Sequence, residues 1–280
     1  MEYFRVERTN GVAVCSIFNP PMNYLVGAMA LELAQLTAEL AGDRTVRCVV
    51  LTGGIKGKFI THFSVEELAH FASDPEQYRQ SGSEGLAAFH ALLSGVQRLP
   101  KPVIAAINGD CMGGGFELAL ACDFRLAASG PYLIGLPESR LGILPGGGGT
   151  QRLTRLIGAA KALEVMLFGN VYQPDEAAPL GLVHRVVPEH DLMGIALDWA
   201  RQLAKQPPKA LAMIKRAVYE GGDADFERGL AIERECFVKV MCSRDARVGM
   251  QAYLELARRD PTEARARFLS GKGLPEYTGE

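Results

Sequence analysis

The sequence predicts an α/β fold, and three observations predict it. Strand-like apolar runs alternate with helix-patterned segments up to about residue 188, after which every patterned segment reads as helix. Two glycine runs, at 113–115 and 146–149, each stand ahead of a helical pattern, as in folds where strands feed helices through tight turns. The 280 residues, 48% hydrophobic and 22% charged, suit one large domain, or one domain with an appendage, and can bury a sizeable core.

Taken in order, residues 4–8 and 12–18 read as strands around Thr9-Asn10-Gly11, and Asn-Gly is the strongest short hairpin signal. Asn19-Pro20-Pro21 stops the second strand. Asn23-Tyr24-Leu25 leads into a helix over 27–41, and 46–51 is a strand buried on both faces beyond Arg47. Strand, helix, strand implies a right-handed crossover. Residues 57–68, GKFITHFSVEEL, form a loop. Residues 74–97 are helical, interrupted at Ser81-Gly82-Ser83, and are expected to cover the site. The strand over 102–108 stops at Gly109-Asp110, a turn signal; a helix starts at Phe116 and a strand runs over 124–128. Helix follows over 153–167, a short helical start near Pro174, and a last strand from Gly181-Leu182-Val183 to Pro188. Helices then cover 191–205, 208–220 and 223–241, with further turns over 244–268. The expected organisation is a core over 1–190 and a helical region over 191–280, its end, with Gly271, Gly273, Pro275 and Gly279, frayed.

The chemistry concentrates in residues 101–153. A strand, Gly113-Gly114-Gly115 and a helix make an oxyanion site, because glycine lets a ligand approach the backbone and the first helical N–H groups lack intrahelical partners. Glu117 lies just inside that helix, and Glu138 follows Pro137. Either acid alone has a structural explanation, Glu117 as a partner of the helix dipole and Glu138 as a polar loop residue. Together, each attached to a glycine-rich anion site, they read as a proton-transfer pair. The 146–149 run has no following Gly-Lys-Ser/Thr and reads as backbone packed close to the acids rather than a phosphate cradle. No G-x-S-x-G elbow is present. A glycosidase pair is disfavoured, since it needs no oxyanion hole and sugar sites carry more aromatics than 8%.

Other classes are excluded more quickly. A net charge of −2 argues against a general nucleic-acid binder. His62, His70, His90, His184 and His190 share no ligand spacing, so no metal is expected. His62 reads as a turn residue tolerating unusual φ/ψ rather than a base. The six cysteines form no C-x-x-C and mostly sit in apolar runs, which suggests core filling in a reducing compartment. No run is long enough to span a membrane, and Met1-Glu2-Tyr3 does not open a secretory signal, so a cytoplasmic enzyme is expected.

The stretches IAAINGDCMGGGFELALACDFRLAA and LPESRLGILPGGGGTQRL resemble the crotonase (enoyl-CoA hydratase/isomerase) superfamily, and weaker similarity spans roughly 3–260. The resemblance implies a crotonase-like spiral of ββα turns with a C-terminal helical trimerisation region. It implies syn addition of water to a 2-enoyl-CoA thioester, Glu117 and Glu138 as the catalytic pair, and an oxyanion hole from the N–H groups of Phe63 and Gly114. Thr61, His62, Ser64, Val65, Gly113, Pro137 and Gly146 are then expected to bind substrate. Coenzyme A would be part of the substrate, no separate cofactor would be needed, and the assembly would be a homotrimer or a dimer of trimers. His62 stands where the family usually has glycine, and Ser64 where it usually has aspartate. The same scaffold supports isomerase, hydrolase or hydratase–lyase reactions on acyl-CoA, and a non-catalytic acyl-CoA-binding protein is the reading from another class.

Overall fold

The computed structural model describes residues 1–271, 273 and 275–280 and divides into two compact units, 1–201 and 202–280. Lys272 and Leu274, in the tail expected to fray, lie outside the described residues.

The first unit opens on the expected hairpin, β1 (Phe4–Thr9) and β2 (Val12–Ile17), paired antiparallel. Its turn uses positive φ at both Asn10 and Gly11, the geometry that Asn-Gly favours. Helix α1 (Gly27–Gly42) buries Met29, Ala30, Leu33, Leu36 and Leu40, spaced to form one face. There follow β3 (Cys48–Gly53), β4 (Gly57–Ile60), α2 (Val65–Ala72), α3 (Pro75–Arg98), β5 (Val103–Ile107), β6 (Gly109–Met112) and α4 (Gly114–Ala121). Then come β7 (Phe124–Ala128), β8 (Ile134–Gly135), a 3-10 turn (Glu138–Leu141), α5 (Gly149–Ile157), α6 (Ala159–Leu167) and β9 (Val171–Tyr172). The unit continues with α7 (Pro174–Ala177), β10 (Arg185–Val187) and the start of α8 (Leu192–Ala204), within which the two units divide.

Two sheets organise these elements. The larger runs β1-β2-β3-β5-β7-β10 and the smaller β4-β6-β8-β9. The chain lays β3, β5 and β7 side by side in the larger sheet and follows each at once with β4, β6 and β8 in the smaller. Both series pair in parallel. This strand-in-each-sheet repeat, with helix between turns, is the expected spiral. Every residue of β5 is buried, which explains its unbroken apolar run.

Three local readings are corrected. Gly109-Asp110 is not a turn but the start of β6, opposite Gly57 and Lys58. Glycine is required at 109 for a different reason, since a Cβ there would fall 1.8 Å from the Gly57 carbonyl carbon. Helix α3 runs unbroken through Ser81-Gly82-Ser83, with Asp74 capping its first turn. The helical pattern over 153–167 is two helices, parted at Gly158, whose φ of 81° ends α5.

The second unit holds α9 (Pro208–Gly222), α10 (Phe226–Met241), α11 (Arg244–Arg259) and α12 (Pro261–Ser270). Asp225, Ser243 and Asp260 accept from N–H groups of the helices they precede, satisfying first-turn donors. The chain end is tied down rather than frayed, because buried Asp245 accepts from the N–H groups of Thr278 and Gly279, each at 2.8 Å. Phe226, Phe237, Val238, Met241, Met250 and Leu254 are exposed on this unit.

Candidate active site

The loop after β4 is stitched to the segment ahead of α1. Asn23, buried with φ 56°, accepts from Asn19 N–H through Oδ1 and donates through Nδ2 to the Ile17 and Phe59 carbonyls. Its own carbonyl receives the Thr61 N–H at 3.3 Å. Leu25 then bridges Phe63 in parallel, donating to the His62 carbonyl at 2.9 Å and accepting from Ser64 N–H at 2.7 Å. A parallel bridge of this register uses the flanking peptides and turns the N–H of Phe63 itself to the other side. Ser64 begins α2 by accepting from Glu67 N–H, so serine in the usual aspartate position acts as a helix cap.

Across from this loop, β6 delivers the chain into α4. Gly113 takes φ 50° and donates to the Gly135 carbonyl at 3.0 Å, which fixes the turn. A Cβ at Gly114 would lie 3.2 Å from Phe63 Cβ and 3.7 Å from Phe63 N, so the two predicted donors are neighbours. Neither the Phe63 nor the Gly114 N–H has a protein acceptor among the described residues. Both residues line a cavity of about 290 Å³, together with His62, Val65, Leu68, Met112, Gly113, Pro137, Glu138, Arg140, Leu141 and Ile143.

The two acids are built differently. Glu117, only 2% exposed, accepts through Oε1 from the N–H groups of Gly147 and Gly149, each at 2.7 Å. Burial raises its pKa on balance, and those amides, Arg152 and His90 offset only part of that rise. Arg152 in turn donates to the Gly147 carbonyl, Ser94 Oγ and Gln97 Oε1, and His90 Nε2 meets the Gly146 carbonyl at 2.8 Å. Glu138 opens the 3-10 turn after Pro137 and lines the cavity, and its buried Oε2 has no partner among the described residues. Its pKa is pushed up to about 7, first by burial and then by the charge of Glu117. A Cβ on Gly113 would come within 2.9 Å of Glu138 Oε1, so glycine is needed there for the acid to reach the turn.

Of the expected site residues, Phe63, Gly113, Gly114, Pro137, Glu138, His62 and Val65 meet at the cavity. Glu117, Thr61, Ser64 and Gly146 are not among its lining residues. Thr61 is buried with its hydroxyl on the Met22 carbonyl, and the Gly146 carbonyl is occupied by His90. His62 does not have positive φ, contrary to its reading as a turn residue of unusual conformation. Its ring instead stacks on Tyr24, with centroids 4.5 Å apart. Sequence reading missed Gly147 and Gly149 as the individual donors to Glu117, and Asn23 and Leu25 as the frame of the loop. Asn23 directly after Met22 carried a usable signal, because asparagine is enriched at positive φ. Among the described residues no group of His, Cys, Asp or Glu could hold a metal ion.

Free backbone donors near two carboxyls in different electrostatic surroundings are an arrangement suited to stabilising an oxyanion while moving protons. Residues 7–262 match the model of the enoyl-CoA hydratase/isomerase family, and the chain belongs to that family. It is 35% identical over 251 residues to the short-chain-enoyl-CoA hydratase of Clostridium acetobutylicum, covering 89% of this chain and 94% of that one. It is 34% identical over 254 residues to the methylglutaconyl-CoA hydratase of Rattus norvegicus, covering 89% and 78%. The crystal structure of enoyl-CoA hydratase from Bacillus anthracis superposes with a TM-score of 0.85 at 34% identity, covering 99% of this chain and 100% of that one.

Proposed function

We propose that this chain is an enoyl-CoA hydratase, a hydro-lyase that adds water syn across the double bond of a 2-enoyl thioester of coenzyme A. The observation that carries the reading is the juxtaposition in one cavity of two unpartnered backbone donors, Phe63 N–H and Gly114 N–H, with the unsatisfied carboxyl of Glu138. The thioester oxygen accepts from both N–H groups. Glu117, held by two amides, keeps its charge and takes a proton from water as the water oxygen bonds to the β-carbon. The electron pair of the double bond moves to the thioester as an enolate, stabilised by the two donors, each of which is worth ~10²–10³ in rate where such sites have been dissected. Glu138, with its pKa near 7, gives its proton to the α-carbon as the enolate collapses. One proton passed from Glu117 to Glu138, directly or through solvent, resets the pair. No separate cofactor enters this scheme, because coenzyme A arrives with the substrate.

Loss of the enoyl-thioester absorbance of crotonyl-CoA on adding the protein, with 3-hydroxybutyryl-CoA as product, is the expected result. Unchanged absorbance across a panel of 2-enoyl-CoA thioesters would overturn the reading.

The same proposal includes a cytoplasmic homotrimer or dimer of trimers. Among the described residues no helix is long and apolar enough to cross a membrane. Phe237 and Val238, 64% and 60% exposed, with Met241, Met250 and Leu254, present more apolar surface than a terminal region leaves in water. Light scattering at micromolar concentration should give three or six times the 30.3 kDa chain mass, and a monomer mass would refute the assembly.

A further inference from the structure

We infer that His62 is a positioning residue for the oxyanion donor: its imidazole clamps the Phe63 peptide so that the Phe63 N–H stays aimed into the cavity. The inference rests on the proposed use of that N–H and adds to it a side chain that is specific to this loop.

The clamp is made of three contacts. His62 Nδ1 lies 2.7 Å from the Phe63 carbonyl oxygen. A carbonyl can only accept, so Nδ1 carries the proton, and the bond persists whether or not Nε2 is also protonated. The ring is stacked on Tyr24, centroids 4.5 Å apart and planes inclined by 29°, which fixes its side-chain torsions. Tyr24 is itself held, because its carbonyl accepts from Asn19 Nδ2 at 2.8 Å.

Those contacts act on the peptides that matter. The His62 carbonyl accepts from Leu25 N–H, which anchors the peptide ahead of Phe63 and polarises it so that its N–H becomes a better donor. The ring of His62 anchors the next peptide through the Phe63 carbonyl. Phe63 is thus held on both sides, with its own N–H the group left over. A glycine at 62 would leave the loop without the ring and with more backbone freedom. His62 also lines the cavity, with its Nδ1 engaged by the Phe63 carbonyl. A Cβ on Gly113 would stand 3.7 Å from His62 Cβ and 2.9 Å from Glu138 Oε1, so His62 and Glu138 flank the same turn.

Substitution by mimics of each ring nitrogen separates positioning from chemistry. The amide nitrogen of asparagine can take the place of Nδ1, whereas that of glutamine reaches towards Nε2. With crotonyl-CoA as substrate, His62→Ala should lower kcat about tenfold or more while KM moves less than about threefold. His62→Asn should recover most of the loss and His62→Gln should not. The second readout is the red shift of bound 4-dimethylaminocinnamoyl-CoA, which reports polarisation of the thioester carbonyl without turnover. It should shrink in His62→Ala and return in His62→Asn, with thermal melts establishing that all variants are folded. A red shift in the wild type that survives intact in His62→Ala would overturn the inference about His62 alone. Full activity in His62→Gln with loss in His62→Asn would overturn it in favour of a role through Nε2, and a change confined to KM would make His62 a substrate contact. No red shift in the wild type would instead remove the oxyanion reading on which the inference rests.

Discussion

Glu117 and Glu138 are the same side chain, near enough for the charge of one to raise the pKa of the other, and the two regions that present them treat it in opposite ways. The 146–149 glycine run supplies Glu117 with two amide donors, and these with Arg152 and His90 offset part of the cost of burying its charge. The 3-10 turn at Glu138–Leu141 offers Glu138 no such partner, leaves Oε2 unbonded and sets it against the charge of its neighbour. Two neighbouring carboxyls resist ionising together, and here the backbone N–H groups are distributed unevenly between them, which favours the charge on Glu117 over that on Glu138. On the proposed mechanism, one region holds charge and the other keeps a proton ready.

The largest expected effect comes from erasing either side of that difference. Glu117→Gln and Glu138→Gln should each lower kcat at least ~10²-fold, within the usual range for general acid–base catalysis. The double variant should be little worse than the worse single one, because the pair acts as a unit. Near-normal turnover in either single variant would remove the pair from the mechanism.

Comparable in size is the loss of the donor opposite the acids. Phe63→Pro deletes the N–H and should cost at least ~10²-fold in kcat in folded protein. Phe63→Ala keeps the N–H and should stay within about tenfold, ~1.4 kcal/mol. Equal damage from both, in proteins of equal thermal stability, would mean that the ring takes part.

A smaller effect sharpens the account of how Glu117 is held. A Cβ at Gly147 would stand 2.6 Å from Glu117 Oε2 and 2.8 Å from both Leu93 Cδ1 and Phe89 Cε1. Gly147→Ala should therefore cost about 1–3 kcal/mol of stability, as overpacking does, and lower kcat with it. Gly146→Ala meets only Leu86 Cδ2 at 3.4 Å and should be close to silent. Melting curves that do not distinguish the two would show that the glycine shell around Glu117 is not tight.

How far the site was legible follows from what each element depends on. The strand, glycine turn and helix around residues 103–121 could be read because composition and local periodicity dictate them, and Glu117 and Glu138 stood out as candidates because a rare residue pattern marks them. The smaller sheet could not. Strands β8 and β9 have two residues each, and Gly109 looked like a turn because its partner, Gly57, is 52 positions away. The 146–149 run was read as packing near the acids, but which N–H groups reach Glu117 is set by the turn's φ/ψ, which spacing does not encode. The His62 stack on Tyr24 was invisible for the same reason, since it joins two loops brought together by the Leu25–Phe63 bridge. Helix α3 shows the reverse error, a local Ser-Gly-Ser signal overridden where Gly82 lies against the Tyr78 ring.

The central claim, that Glu117 is the charged partner and Glu138 the protonated one, is open to direct measurement by infrared titration of the protein from pH 5 to 9. A Glu with a pKa raised to about 7 is protonated below that pH and ionised above it. The account predicts a protonated-carboxyl stretch that fades as pH rises through about 7, persists in Glu117→Gln with its midpoint moved down, because the neighbouring charge is gone, and is absent from Glu138→Gln. A band that disappears in Glu117→Gln and remains in Glu138→Gln would contradict it.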